Sequence, residues 1–161
     1  MPLILLRHLR PHIAPGICYG RSDLDAPIAP LPALPPFDSV ATSPLSRCRL
    51  LAEALHPAPL VDPRLAEMDF GAWEGLAWDA VPRTGLDAWA ADFLHARPHG
   101  GESVAMLRAR IRDALAEHRA AAGAGTRLLV THAGVIKAAL ATGDDAAGWP
   151  SALPFGHHVT L

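Results

Sequence analysis

The sequence predicts an α/β domain in which a mainly parallel central sheet is flanked by helices. Residues 2–6 and 127–131 are dominated by consecutive apolar residues, as in buried parallel strands. A third candidate strand at residues 39–42 and the helical periodicities between these runs give an alternation of strands and helices. The 161-residue chain is long enough to bury one core and too short for two complete domains. We therefore expect residues 1–161 to form a single domain.

The first strand is followed by a long irregular loop, and then by a second strand and a helix. Pro and Gly are frequent between Leu9 and Asp38, and the prolines of residues 26–36 remove the donors that a helix needs. After the strand at residues 39–42, Ser43 as N-cap and Pro44 at the first helical position predict a helix start. The buried stripe of this helix is Leu45, Cys48, Ala52 and Leu55.

The middle of the chain predicts three further helices. A short one, ended by Pro82, has an apolar face of Trp73, Leu76, Ala77 and Ala80. The next has a face of Leu86, Trp89, Ala90 and Phe93. The longest begins near Ser103 and ends at Gly123. Its buried face is Val104, Leu107, Ile111, Leu115 and His118, and its solvated face is Arg108, Arg110 and Arg112. A fifth helix begins at His132, and His158–Leu161 is a candidate edge strand.

Composition narrows the classes of partner. The formal charge is −2 and the pI is near 6.5, so no global field attracts nucleic acid or an anionic membrane. No apolar run approaches the roughly 20 residues that span a bilayer, and the N-terminus lacks the features of a signal peptide. We expect a cytoplasmic protein with no nucleic-acid or membrane partner.

The two cysteines do not form a recognisable motif. Cys18 and Cys48 lie too far apart for a Cys-x-x-Cys redox motif, and they are too few for a zinc ribbon or a disulfide framework. Arg47 and Arg49 flank Cys48, and neighbouring cations favour a lowered thiol pKa. No signature of a catalytic cysteine surrounds either residue, so both are expected to be small buried or half-buried side chains.

A histidine ends each of the two most apolar strands. Ligands of open parallel sheets bind beyond the carboxyl ends of the strands, so His8 and His132 are expected to meet in one crevice. Arg47 lies in the first turn of a helix, whose free N–H groups attract phosphate. Arg7 adds a second guanidinium, a group that binds phosphoryl oxygens in a bidentate manner. These four residues predict a phosphoryl-binding site.

Six short motifs follow one another along almost the whole chain. They are Arg7-His8, Tyr19-Gly20-x-x-Asp23, Ser43-Pro44-Leu45-x-Arg47, Arg64-Leu65-x-Glu67-x-x-Phe70-Gly71-x-x-Glu74-Gly75, Gly101-Glu102-Ser103 and Thr131-His132-x-Gly134-Val135. In this order they resemble the histidine phosphatase superfamily, which contains cofactor-dependent phosphoglycerate mutase and fructose-2,6-bisphosphatase. The resemblance implies a three-layer, phosphoglycerate mutase-like sandwich. Arg7-His8-x-x-Pro11, followed by residues 15–23, is most similar to the α-ribazole phosphatase branch of cobalamin biosynthesis.

The resemblance also implies a metal-independent and cofactor-independent phosphatase. His8 matches the nucleophile that forms a phosphohistidine, and Glu67 matches the general acid, with Asp69 and Glu74 as alternatives. The residues that bind the phosphoryl group and stabilise its transition state are then Arg7, His8, Arg47 and His132. Candidate substrate contacts are Tyr19, Arg21 and Glu102, although Arg21 is equally compatible with solvent exposure and Glu102 with a helix start. A metal site at His99, His157 and His158 is disfavoured, because carboxylates and cysteines are missing at ligand spacing.

The chain departs from the family pattern in four places. Leu9 replaces Gly or Thr, and Pro11 replaces a hydroxyl residue, so a phosphate contact is lost. The proline-rich residues 26–36 replace a helix, so coil or a partner subunit, as in a homodimer, is expected to cover one face of the sheet. The short stretch from Gly75 to Gly101 predicts a reduced cap over the pocket.

Two functions from different classes are compatible with these residues. The first is hydrolysis of a small phosphomonoester, with α-ribazole 5′-phosphate as the candidate substrate. The second is phosphate-ligand binding or regulation by a catalytically weak member, which Leu9 and the lost helix favour. A phosphoglycerate mutase ranks behind both, because a small cap does not retain the product for retransfer.

Overall fold

A five-stranded sheet forms the centre of the molecule. In the computed structural model, which describes residues 2–161, the strands are β1 (Leu3–Arg7), β2 (Ser39–Thr42), β3 (Leu60–Val61), β4 (Arg127–Thr131) and β5 (His158–Thr160). Their order is β3-β2-β4-β1-β5, in which β5 is antiparallel to β1 and all other pairs are parallel. The prediction of a mainly parallel sheet is therefore confirmed, including the C-terminal edge strand.

The helices cover both faces of this sheet. They are α1 (Ser46–Leu55), α2 (Arg83–Ala91), α3 (Val104–Ala122) and α4 (Ala133–Leu140). Successive side chains of a strand point to opposite faces, so β1 contributes to two cores. Leu3 and Leu5 pack with α3 and α4, whereas Ile4 and Leu6 pack with α1. No helix within residues 2–161 is long and apolar enough to cross a membrane.

The longest helix has the predicted ends and the predicted buried face. Ser103 caps it by accepting a hydrogen bond from the backbone N of Met106 at 3.1 Å, and Gly123 ends it with a φ of 57°. The face is buried as expected, from Val104 through His118. Residues 26–36 form no helix, and Leu34 with Phe37 covers part of the α1 side of the sheet.

The predicted start of α1 at Ser43 and Pro44 is wrong. The helix begins at Ser46, and the Ser43 hydroxyl accepts a hydrogen bond from the backbone N of Leu45 at 3.2 Å instead of capping the helix. Asp23 supplies the cap from a distant loop, since its carboxylate accepts hydrogen bonds from the backbone N and the hydroxyl of Ser46 at 2.8 and 2.9 Å. The predicted stripe is buried at Cys48 and Ala52 and half-buried at Leu45 and Leu55.

The predicted helix ended by Pro82 does not form. Two single turns of 3₁₀-helix, Gly71–Trp73 and Trp78–Ala80, stand in its place. Gly75 separates them with a φ of 84°, and its backbone N donates to the Cys18 carbonyl at 2.7 Å. The backbone of this segment pairs with the loop at residues 16–18, and those hydrogen bonds replace the ones that a helix requires. The next predicted helix is confirmed as α2.

Candidate active site

The ends of β1 and β4 bring two histidines together. Arg7 pairs with Thr131 in the parallel register, so the next residue of each strand lies at the same edge of the sheet. The rings of His8 and His132 are 5.2 Å apart between centroids, and 1% and 0% of these residues are exposed. The pair therefore lies in one enclosed space beyond the carboxyl ends of the strands.

His8 is held as a neutral imidazole with a defined tautomer. Its Nδ1 lies 2.7 Å from the Leu9 carbonyl, which only accepts hydrogen bonds, so Nδ1 carries the proton and Nε2 keeps its lone pair. Burial lowers the pKa of His8 to about 3, and the positive charges of Arg47 and Arg7 act in the same direction. A neutral Nε2 is the form that attacks phosphorus.

His132 is also buried and is fixed by a hydroxyl group. Its Nε2 lies 2.7 Å from the Ser43 hydroxyl oxygen and 3.4 Å from the Cys48 sulfur. Burial, together with the nearby His8 and Arg47, holds the pKa of His132 well below its ordinary value. Ser43, which the sequence suggested as a helix cap, is instead a positioning contact for this ring.

The expected lowering of the Cys48 thiol pKa is wrong. The thiol is completely buried, and burial raises its pKa far more than the neighbouring Arg47 lowers it. Burial also raises the pKa of Cys18 to about 12. Both cysteines therefore act as small apolar side chains.

One buried arginine, Arg47, and one half-buried arginine, Arg7, accompany the histidines. Arg47 donates to the carbonyls of Ser22 at 2.7 Å and Gly20 at 2.6 Å, and Arg7 donates to the carbonyl of Leu153. The Nε atoms of both arginines are buried and have no hydrogen-bond partner within residues 2–161. Buried donors are rarely left unpaired, and a phosphoryl oxygen would satisfy them. Burial lowers the pKa of Arg7 from its ordinary value.

Phe155 closes one side of the histidine pair. The Arg7 guanidinium lies 3.7 Å from the centre of its ring, and the His8 ring lies 5.7 Å from it. The backbone N of Gly156 donates to the carbonyls of both Arg7 and His8, which fixes this segment against the end of β1. Sequence reasoning did not identify Phe155, because no motif marks it.

Among the three candidate general acids, only Glu67 lines the cavity beside the site. Its carboxylate accepts from the backbone N of Met68 at 2.8 Å and of Gly134 at 3.1 Å, at the start of α4. Glu74 instead accepts from the backbone N of Arg21 and from the Ser22 hydroxyl. Asp69 accepts from the backbone N of Gly71 at 2.8 Å. The geometry therefore favours Glu67 over both alternatives.

The three candidate substrate contacts have different surroundings. Tyr19 lines the cavity, and the Arg47 guanidinium lies 5.1 Å from the centre of its ring. Arg21 does not line the cavity, and its Nε donates to the Glu67 carbonyl at 3.1 Å. Glu102 is buried, and Arg110 occupies both of its carboxylate oxygens. Only Tyr19 is therefore in position to touch a ligand in the cavity.

Arg110 is not on a solvated face, contrary to the prediction. Its side chain is 17% exposed and forms an ion pair of 2.6 Å with Glu102. Arg110 lies three residues after Leu107 and four before Ala114, both of which are buried. The helical period could therefore have placed it at the buried edge of α3.

A cavity of about 540 Å³ lies beside this site, and it is lined by Arg7 and Glu67 but not by His8, His132 or Arg47. Six aromatic side chains are among its lining residues, with Arg7, Glu67 and Lys137 as the charged groups. These aromatic residues are Tyr19, Phe70, Trp78, Trp89, Phe93 and Trp149. Trp73 is buried and packs against Trp78 and Trp89, as expected of a packing residue.

The histidines outside the site do not gather into a metal centre. His99 is buried and its Nδ1 accepts from the backbone N of Gly101 at 2.9 Å, while the rings of His157 and His158 stack on each other. Within residues 2–161, no group of three or more His, Cys, Asp or Glu side chains is arranged to hold a metal ion.

A mainly parallel sheet with paired histidines beyond its strands is the architecture of phosphoglycerate mutase-like proteins. The family model of the histidine phosphatase superfamily (branch 1) matches residues 20–156, and the chain belongs to this superfamily. No curated protein matches the sequence.

Solved structures support the same assignment. A phosphoglycerate mutase from Thermus thermophilus is 30% identical, with a TM-score of 0.78 over 100% of this chain and 92% of that one. TTHB049 from the same organism is 29% identical, with a TM-score of 0.79 over 100% of this chain and 92% of that one. A mycobacterial glucosyl-3-phosphoglycerate phosphatase is 27% identical, with a TM-score of 0.75 over 99% of this chain and 89% of that one.

Proposed function

We propose that the protein hydrolyses a phosphomonoester through a phosphohistidine formed on His8. The observation that carries this proposal is the state of the ring: it is neutral, its Nδ1 proton is fixed on a carbonyl, and Nε2 is free. The lone pair of Nε2 attacks phosphorus, and the bond from phosphorus to the ester oxygen breaks. Glu67 donates a proton to the departing oxygen. Glu67 then takes a proton from the water that cleaves the phosphohistidine.

The two guanidinium groups of the site balance the charge on the phosphoryl group. The unpaired Nε donors of Arg7 and Arg47 offer hydrogen bonds to the equatorial oxygens, and His132 lies beside the attacking ring. We propose that no metal takes part in the reaction, because two guanidinium groups supply the positive charge that a metal ion supplies elsewhere.

The cavity supports a phosphomonoester with a flat apolar leaving group. Aromatic walls favour a ring system that stacks on them, whereas phosphoglycerates are small and strongly polar. α-Ribazole 5′-phosphate carries a dimethylbenzimidazole ring, so we propose it as the substrate, in agreement with the sequence signature at residues 7–23. The cytoplasmic location and the homodimer stay predictions.

A second candidate is a phosphate-binding or regulatory protein with weak activity. The burial of the site favours this candidate. Phe155 packs beside the His8 ring, and His8 and Arg47 are each only 1% exposed, so a substrate has little access to them. Under this alternative the protein binds inorganic phosphate but does not hydrolyse phosphomonoesters at an appreciable rate.

Hydrolysis of p-nitrophenyl phosphate in the presence of EDTA separates the two candidates. We expect turnover by the wild-type protein, its loss in His8→Ala, and its retention in His95→Ala, which removes an exposed histidine. Phosphate binding without turnover would support the second candidate. If α-ribazole 5′-phosphate is hydrolysed no faster than simple alkyl phosphates, the cobalamin assignment is wrong even if the enzyme is active.

A further inference from the structure

We infer that Arg110 is a positioning residue that holds Glu67 in place for proton transfer. This inference rests on the proposed function, because it assigns a task to a residue that serves the proposed general acid. Arg110 does not line the cavity, and its hydrogen bonds reach the segment that carries Glu67. Its positive charge also contributes to the lowered pKa of His132, so the test must separate this charge effect from the positioning of Glu67.

The guanidinium of Arg110 connects α3 to the segment that carries the acid. Its Nη1 donates to the carbonyl of Arg64, and its Nη2 donates to the carbonyl of Glu67 at 3.1 Å. Its Nε and Nη2 also donate to the two carboxylate oxygens of Glu102, at 2.6 and 3.0 Å. Lysine carries a single ammonium and cannot reproduce this planar set of contacts.

The backbone around Glu67 is fixed on both sides by the same network. Glu102 accepts from the backbone N of Asp69 at 3.4 Å, and the Nε of Arg21 donates to the Glu67 carbonyl at 3.1 Å. The side chains of Arg110 and Glu102 are 17% and 8% exposed, so water screens the pair only weakly. Loss of Arg110 would leave Oε1 of Glu102 and the Arg64 carbonyl without this donor, and would leave the Glu67 carbonyl with Arg21 alone.

Proton transfer is sensitive to small movements of the acid. A general acid acts within hydrogen-bond reach of the departing oxygen, and a misplacement of about 1 Å can cost roughly 100-fold in rate. The Glu67 carboxylate is fixed at one end by the backbone N of Gly134, and its main chain is fixed at the other end by Arg110. Release of the main chain would move the acid away from the leaving group.

The dependence of the first turnover on the leaving group tests this inference. p-Nitrophenolate departs without protonation, whereas an alkoxide needs an acid. In rapid-quench experiments, we expect Arg110→Gln to slow phosphohistidine formation from an alkyl phosphate by about 10- to 100-fold. The burst of p-nitrophenol from p-nitrophenyl phosphate should remain close to that of wild type. Glu67→Gln should show the same selectivity, and the double variant should be no slower than Glu67→Gln, because the two residues act as a unit.

Two controls separate positioning from loss of structure. Arg108→Gln removes an arginine from the same helix that pairs with Asp144, and it should leave both rates unchanged. Arg110→Lys keeps the charge and the apolar stem, and it should retain the selective defect if Arg110→Gln does not fold.

Each outcome bears on one proposal. Equal losses on both substrates in Arg110→Lys, while Glu67→Gln remains selective, would show that Arg110 has only a structural role. Unchanged rates would overturn the inference as well. A wild-type protein that forms no phosphohistidine would overturn the proposed function, and the role of Arg110 with it.

Discussion

Gly134→Ala should remove most of the acid-dependent activity and leave the fold intact. A Cβ at residue 134 would lie 2.1 Å from Oε1 of Glu67, whereas real Cβ contacts stay beyond 3.0 Å. The carboxylate must therefore move by roughly 1 Å, which predicts a loss of about 100-fold in phosphohistidine formation from an alkyl phosphate. The backbone of Gly134 has an ordinary helical conformation, so alanine itself fits there.

The stability of this variant should change little. Alanine is more favourable than glycine inside a helix by about 0.5–1 kcal/mol, which offsets part of the lost hydrogen bond between the backbone N of residue 134 and Glu67. Urea unfolding measures the change in the free energy of unfolding, and rapid-quench kinetics measure the rate of the first turnover. Gly143→Ala is the matched control, because its Cβ would meet nothing closer than 3.9 Å. If Gly134→Ala keeps wild-type rates on alkyl phosphates, Glu67 is not the acid in this position.

Three further outcomes follow from the buried titratable groups. With a pKa of about 3, the His8 ring should stay neutral in NMR spectra at pH 5, and a titration midpoint near 6.5 would contradict its burial. The unfolded chain binds a proton at this residue below pH 6.5 and the folded chain does not. Stability should therefore fall by about 2 kcal/mol between pH 7 and pH 5 through His8 alone, and urea unfolding of His8→Gln should show a flatter pH dependence. Cys18 and Cys48 should react with a thiol reagent only after unfolding, and rapid labelling of the native protein would disprove their burial.

The parts of the fold that could be predicted depend on local pattern. The apolar strands, the histidines that follow them, and the ends of α3 at Ser103 and Gly123 each depend on a few consecutive residues. The start of α1 could not be predicted, because its cap is supplied by Asp23 from a separate loop. The segment between Gly71 and Ala80 has an apolar spacing that resembles a helix, but backbone pairing with residues 16–18 prevails.

The residues of the candidate site could be predicted from the sequence, but the contacts that hold them in place could not. The motifs indicated His8, His132, Arg7, Arg47 and Glu67, but they did not show that Ser43 contacts the His132 ring. The arginines beside Cys48 suggested a lowered thiol pKa, but the complete burial of the thiol raises that pKa instead. Phe155 could not be found from sequence, since a single aromatic residue near a chain end has no distinguishing pattern.

The attachment of residues 153–156 to the end of β1 has a consequence for biosynthesis. The ribosome makes His8 well before Phe155 and Gly156, which contact it in the folded domain. A nascent chain that has not reached His158 has a first strand but no neighbour at the β5 position. His8 should therefore acquire its final surroundings late, after the chain has been made as far as Gly156.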